Sequence, residues 1–257
     1  MVTFPPVRPG EPIMLSASTW TTYERCPAQA EGRLRGVYGP ESRASFGGGL
    51  AHRIFARHLT GGPIEPDAFE SACREEIGTS MNVKLGALGL KPSQLRDVVE
   101  EVRDLYDRFK TLGTEGFRGA EVSLEASPSD DLTLRGAIDA VFDDQGGVRL
   151  VDWKTKGLGD PGPQLAFYAL LWVLVEGDLP ARLEAVSVGT GERTETEPSA
   201  DDVAATALAV AEAVATLREA WERGLAMERR AGPWCRWCPL LEECPEGASA
   251  LSILGEA

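Results

Sequence analysis

The chain has 257 residues, 43% of them hydrophobic, and a formal net charge of −14, a length that suits one large domain with a real core and is short for two. The charge argues against a protein that coats nucleic acid non-specifically, while a local basic channel in an acidic body stays open. No run approaches the ~18 apolar residues of a membrane helix, and Met1-Val-Thr-Phe-Pro-Pro lacks the basic-then-apolar start of a secretory signal; the cytoplasm is the expected location, with no membrane partner.

In chain order, residues 1–14 read as a Pro-rich leader, and Ser16-Ala-Ser-Thr19 opens a helix carrying Tyr23 and Cys26. Gly47-Gly-Gly-Leu50 leads into a second helix that holds His52 beside Ile54, Phe55 and Leu59. Residues 66–82 and 92–111 have the spacing of amphipathic helices. Strand-like runs follow at 117–126, 132–143 and 147–154, then an apolar helix from Pro163 through Val175. Further strands are expected at Leu183–Val188 and Glu192–Thr196. Ser199, with Asp202 in the capping-box position, opens a long helix over 200–228. The order implies an α/β fold with a small mixed sheet at its centre. The expected organisation is one domain over 15–257, divided into a helical part (15–111), a core (112–230) and a tail (231–257).

Five cysteines in a chain without a secretory signal read as metal ligands plus a buried thiol. Cys235, Cys238 and Cys244 form a C-x2-C-x5-C cluster, and Cys26 stands alone near the start. Four thiolates suit an iron–sulfur cluster or zinc. If Cys26 completes the trio, a metal staples the first helix to the tail. Cys73, in a helical stretch, reads as a small buried hydrophobe.

The chemistry concentrates in Gly136-Ala-Ile-Asp139 and Val151-Asp152-Trp153-Lys154-Thr155-Lys156. Asp143-Asp-Gln-Gly-Gly147 supplies turn residues between them, and a hairpin folded about Gln145–Gly146 sets Asp139 opposite Asp152. Lys154 shares a face with Asp152. Opposed carboxylates repel unless a cation lies between them, and hard oxygen ligands suit magnesium or manganese. A lysine beside them can hold a water aimed at a phosphate, the pattern of metal-assisted phosphodiester hydrolysis. An isolated D-x-K is also a common surface pattern, but both aspartates here sit within apolar runs.

Six motifs in order resemble the PD-(D/E)XK nucleases, in particular the RecB-type branch with an iron–sulfur cluster, which includes the AddB nuclease domain and small CRISPR-associated nucleases. They are Leu15 through Cys26-Pro27, Gly49-Leu-Ala-His52, Gly136-Ala-Ile-Asp139, Val151-Asp152-Trp-Lys154-Thr155, Gln164-Leu-Ala-Phe-Tyr168 and the terminal C-x2-C-x5-C. The resemblance implies a restriction-endonuclease-like core, with the helical part and the tail joined by a 4Fe–4S cluster on Cys26, Cys235, Cys238 and Cys244. It implies metal ligation by His52, Asp139 and Asp152, with Lys154 orienting the attacking water. Gln164 and Tyr168 would position DNA or active-site side chains, and Glu121 would assist the metal. His58 receives no role, and Thr155 and Lys156 are strand-end features. Arg53 and Arg57 are candidates for a basic groove. The expected activity is metal-dependent DNA exonuclease action on single-stranded or frayed ends, in repair, recombination or phage and CRISPR-related processing. No G-x4-G-K-[ST] loop is present, so unwinding falls to a helicase or another DNA-processing protein. The alternatives are a non-catalytic, iron–sulfur DNA-end-binding or scaffold subunit, and an electron-transfer protein. The lack of a closely spaced cysteine run counts against the second.

Overall fold

A long antiparallel pair carries the architecture. Phe117–Ser129 (β2) and Leu132–Asp144 (β3) run side by side over most of their length, and β3 turns into Gly147–Lys154 (β4). The computed structural model describes residues 3–255; Met1-Val2 of the expected leader and Glu256-Ala257 of the expected tail lie outside the described residues.

The expected leader contributes a strand. Ile13–Ser16 (β1) buries Ile13 and Leu15 and pairs in parallel with Leu132–Arg135 of β3. Its four-residue alternation is too short to stand out beside the prolines before it. Ser16 then caps Ala17–Arg25 (α1), accepting the Thr19 N–H at 3.1 Å. The first helix was expected to run through Cys26. Instead Cys26 is extended, because Pro27 excludes helical backbone before it, and Pro27 starts Pro27–Leu34 (α2).

Arg43–Gly61 (α3) begins a turn before the expected start, capped by Ser42, and Gly47–Gly49 lie within it. A Cβ at Gly47 would lie 3.5 Å from Val98, at Gly48 3.4 Å from Thr155, and at Gly49 3.6 Å from Met81, ordinary van der Waals distances, so an alanine would fit at each. Burial of Phe46, Leu50, Ile54 and Phe55 carries the helix through these poor helix formers. The expected 66–82 helix is divided: Phe69–Glu76 (α4), a π-helical turn Ile77–Met81, then Asn82–Leu88 (α5). Pro92–Phe109 (α6) follows.

Beyond β4 come Gly162–Glu176 (α7), Arg182–Ser187 (β5), Arg193–Thr196 (β6) and Ala200–Arg223 (α8). The Ser199–Asp202 capping box forms as expected. Gly224, left-handed at φ 64°, ends α8 earlier than 228. Two short 3₁₀ turns, Pro233–Trp237 and Leu241–Glu243, precede Pro245–Ile253 (α9).

The sheet is mixed, in the order β1-β3-β4-β5-β6, with β2 on β3 and the β4–β5 pair parallel. Because β2 lies along one edge of β3, β1 and β4 share the other edge, β1 at one end and β4 at the other. Residues 136–139 fall in the gap between them. One core packs Leu132, Leu134 and Ile138 with α7 and α8; the other packs Ala140 and Phe142 with α3, α4 and α6. Strict alternation would put Ile138 and Ala140 on one face. The alternation therefore slips at Asp139.

Candidate active site

The site lies where that slip, the end of β4, the middle of α3 and the first turns of α7 meet. The β3–β4 ladder has the register expected from the turn residues as far as Ala140 opposite Val151. One step further, Asp139 Oδ2 accepts the Trp153 backbone N–H at 2.7 Å, taking the place of a strand carbonyl. The other oxygen, Oδ1, lies 3.0 Å from His52 Nδ1, carried by α3. Asp139 is thus fixed through both oxygens and nearly buried.

Glu121 completes this group. The β2–β3 register, Ala120 opposite Ala140 and Val122 opposite Ile138, puts Glu121 across from Asp139. Its φ is +51°, the only positive value among non-glycine residues described. A non-glycine side chain in the left-handed region is strained, and such strain collects at functional sites. His52, Glu121 and Asp139 each offer a ligand atom, all within 4.8 Å of one another. The residue Glu121 is exposed, but desolvation of its carboxyl, then the Asp139 charge, raise its pKa, with His52 and Arg53 opposing. Burial opposes charge on His52; the charge and hydrogen bond of Asp139, with Asp152 and Glu121, outweigh it and raise the imidazole pKa.

Asp152 belongs to a second, linked group. Lys154 Nζ is 2.7 Å from its Oδ2, and Gln164 Nε2 donates to its Oδ1 at 2.8 Å. Gln164 Oε1 in turn accepts from Lys154 Nζ at 2.7 Å. One amide therefore braces both members of the D-x-K pair. Gln164 Nε2 also donates to Tyr168 Oη at 2.8 Å, one helical turn on. The Tyr168 oxygen accepts that bond, so its own proton stays available for another acceptor. Burial, then the charges of Asp152 and Asp139, push the phenol far upward, so it stays protonated. Gly136 lets Tyr168 sit this close: a Cβ there would lie 3.0 Å from the tyrosine ring and from Leu171.

Asp152 is 2% exposed, and its pKa is pushed up to about 6, by burial first and by Asp139 next, with Lys154 and His52 opposing. Its Oδ2 has the lysine ion pair but no well-directed hydrogen bond. A buried, under-satisfied carboxylate oxygen beside a three-ligand oxygen and nitrogen group is what a hard divalent cation fits. His52, Asp139 and Glu121 form the tightest candidate ligand group, with Asp152 beside it.

Other expected residues lie apart. His58 Nδ1 is 2.9 Å from the Tyr106 hydroxyl and its ring packs edge-on to Phe109, a core role. Arg57 is held by Glu75 at 2.8 Å and Glu76 at 3.5 Å, whereas Arg53 is exposed and stands by Glu121. Burial pushes the Cys73 thiol up to about 12. Cys26 and Cys235 are buried and Cys238 and Cys244 half-buried. Burial raises the Cys238 pKa, and Cys26, Cys235 and Cys244 are all near enough to raise it further, against a lowering Leu240 backbone hydrogen bond. Among the described residues, no three sulfurs lie within 4.8 Å of one another. Three features of the site escaped sequence reasoning: the Trp153 N–H anchor, the left-handed Glu121 and the space that Gly136 leaves. The glycine of Gly136-Ala-Ile-Asp139 is the one signal that could have pointed to close helix packing.

The family model of the PD-(D/E)XK nuclease superfamily matches residues 14–245. The solved structure of a "putative exonuclease" from Eubacterium rectale superposes with a TM-score of 0.52 at 14% identity, covering 90% of this chain and 87% of that one; at that identity the likeness is one of fold. The crystal structure of SSO0001 covers 76% of this chain and 94% of its own at 17% identity, but its TM-score of 0.36 carries no weight. No protein with a curated description matches the sequence. With its match spanning the sheet, the D-x-K hairpin and the tail cysteines, the chain belongs to the PD-(D/E)XK nuclease superfamily.

Proposed function

We propose that the protein is a divalent-metal-dependent deoxyribonuclease that acts on single-stranded or frayed DNA ends. The observation that carries the reading is the joining of two groups: the His52–Glu121–Asp139 ligand set and the Asp152–Lys154–Gln164 brace. A magnesium or manganese ion bound there would supply positive charge to the phosphate and make a water more acidic. His52, Asp139, Glu121 and Asp152 would hold it. The chain's own residues do the rest. Lys154 Nζ, fixed by Gln164 and Asp152, orients the attacking water and neutralises charge that builds on the phosphate oxygens. Asp139 keeps its position because its second oxygen is tied to the Trp153 backbone. Tyr168, protonated, offers its hydroxyl to the phosphate or to the water. With the residue set complete, a hydrolytic role accounts for the buried charges better than a scaffold role does.

The reading extends to a 4Fe–4S cluster on Cys26, Cys235, Cys238 and Cys244. One feature supports it: Cys26 and the tail thiols share one electrostatic neighbourhood. The cluster's role in this reading is to fasten the tail to α1 and α2. A helicase or other DNA-processing protein would supply single strands.

The test is incubation of anaerobically purified protein with end-labelled linear and with circular single-stranded DNA, in magnesium, manganese or chelator. Loss of linear DNA in metal alone, with circles spared, supports an end-directed nuclease. Equal cutting of circles makes it an endonuclease, and no cutting with retained end binding makes it a scaffold.

A further inference from the structure

Two large aromatic rings stand in solvent close to the cysteine tail. Tyr38 is 70% and Trp237 69% exposed. They belong to segments that touch: a Cβ at Gly39 would lie 3.4 Å from the Trp237 carbonyl oxygen. Neither ring stacks on another aromatic ring among the described residues. Arginines surround them. Arg236 lies over the Trp237 ring at 4.7 Å, and Arg33 is close enough to sense both Tyr38 and Arg25. In a chain of net charge −14, a face that combines exposed rings with three guanidiniums is unusual.

Arg25 also lines a cleft of about 370 Å³ together with Trp234 and Pro163. Glu24 and Asp160 line the same cleft, and Glu228 pairs with Arg230 beside it. Arg25 and Arg230 there face Glu24 and Asp160, so the cleft is close to neutral, and Arg33 stands outside it.

We propose that Tyr38 and Trp237, with Arg25 and Arg33, form a second site for single-stranded DNA, on which unpaired bases stack while the two arginines take the phosphates. It rests on the nuclease reading and adds to it. Single-stranded nucleic acid presents a flat ring and a negative charge at each step, which this face matches. Duplex DNA keeps its ring faces hidden in the stack and fits less well. A strand held here would lie beside the Arg25–Trp234 cleft, and the demand for unpaired bases gives the preference for single-stranded ends a physical basis.

The test uses the full-length, cluster-containing protein with chelator present to stop cleavage. Anisotropy is read with a short labelled oligothymidylate and with an abasic sugar-phosphate oligomer of the same length. Tyr38→Ala/Trp237→Ala should weaken oligothymidylate binding about tenfold or more, leave the abasic oligomer unchanged, and keep the melting temperature. Trp237→Phe should keep most of the affinity. With magnesium restored, turnover of thymidine 5′-p-nitrophenyl phosphate, too short to reach the face, should match wild type in every variant. Unchanged oligothymidylate affinity in the double variant overturns the proposal, as does an equal loss on the abasic oligomer. Unchanged DNA affinity with loss of a defined protein complex assigns the face to a protein and overturns it too. If wild type turns over neither the ester nor DNA, the nuclease reading fails, while the binding comparison still decides the site.

Discussion

Asp139 and Trp153 are joined by a side-chain-to-backbone hydrogen bond of 2.7 Å at the point where the β3–β4 ladder stops. The carboxylate replaces a strand carbonyl, so the acid is part of the sheet and part of the site together. Asp139→Ala should therefore do two things: abolish hydrolysis, and cost about 1–3 kcal/mol by leaving a buried N–H unpaired. Asp139→Asn, whose amide oxygen can still accept that N–H, should keep most of the stability and lose the activity. Urea unfolding alongside a nuclease assay separates the two effects. Equal stability of the Ala and Asn variants would contradict the anchor.

Gln164 touches both Asp152 and Lys154. Gln164→Ala should lower kcat by roughly 10–100-fold, the usual cost of removing a partner that orients a ligand, with little change in KM. Gln164→Glu should be worse than its size suggests, since it sets a third carboxylate beside Asp152. A rise in KM at constant kcat would mean that Gln164 binds DNA instead.

Ionised Asp152 is held against its preference. Its pKa is raised from 3.8 to about 6, by burial first and then by Asp139. The folded protein thus binds a proton more tightly than the unfolded chain does, and the metal-free form loses stability as pH rises from about 4 through about 6. Divalent metal should reverse that loss, so the rise in Tm with manganese should be larger at about pH 7.5 than at about pH 5. Asp152→Asn without metal should melt above wild type at the higher pH and no longer respond to metal. A metal-induced shift independent of pH would contradict the assignment.

Cys26 and Cys238 lie at opposite ends of the chain, but Cys238 senses Cys26. Protein prepared without oxygen should be brown, with about four irons per chain. Cys26→Ala and Cys238→Ala should each lose the colour and lower Tm, whereas Cys73→Ala should keep the colour. Iron retained in Cys26→Ala, or zinc alone in protein made with ample iron, would end the cluster reading.

Much of this was legible in the sequence for local reasons. Gln145–Gly146 fixes the hairpin register, and Pro163 with Gln164 and Tyr168 one turn apart places the brace. Other features depend on partners distant in sequence. Glu121 becomes a ligand candidate only because β2 lies in register with β3 and its backbone turns left-handed. β1 is four residues long and is defined by the β3 edge it joins. The glycines of α3 look like a loop, and the helix runs through them because Phe46, Leu50, Ile54 and Phe55 on either side are buried in the core. Arg57, basic in sequence, is neutralised by Glu75 and Glu76 from α4.

The most direct test of the account is hydrolysis of linear single-stranded DNA in manganese by wild type and by Lys154→Ala, with Tm measured on both. Lys154 neutralises Asp152 and braces Gln164, so its removal takes the one ion pair from a buried carboxylate oxygen and should lower Tm while leaving the protein folded at assay temperature. The account predicts metal-dependent release of nucleotides by wild type and a fall on the order of 10²–10³-fold in the variant, assayed well below its Tm. Cleavage by Lys154→Ala at the wild-type rate, or wild-type cleavage that persists in chelator, would contradict it.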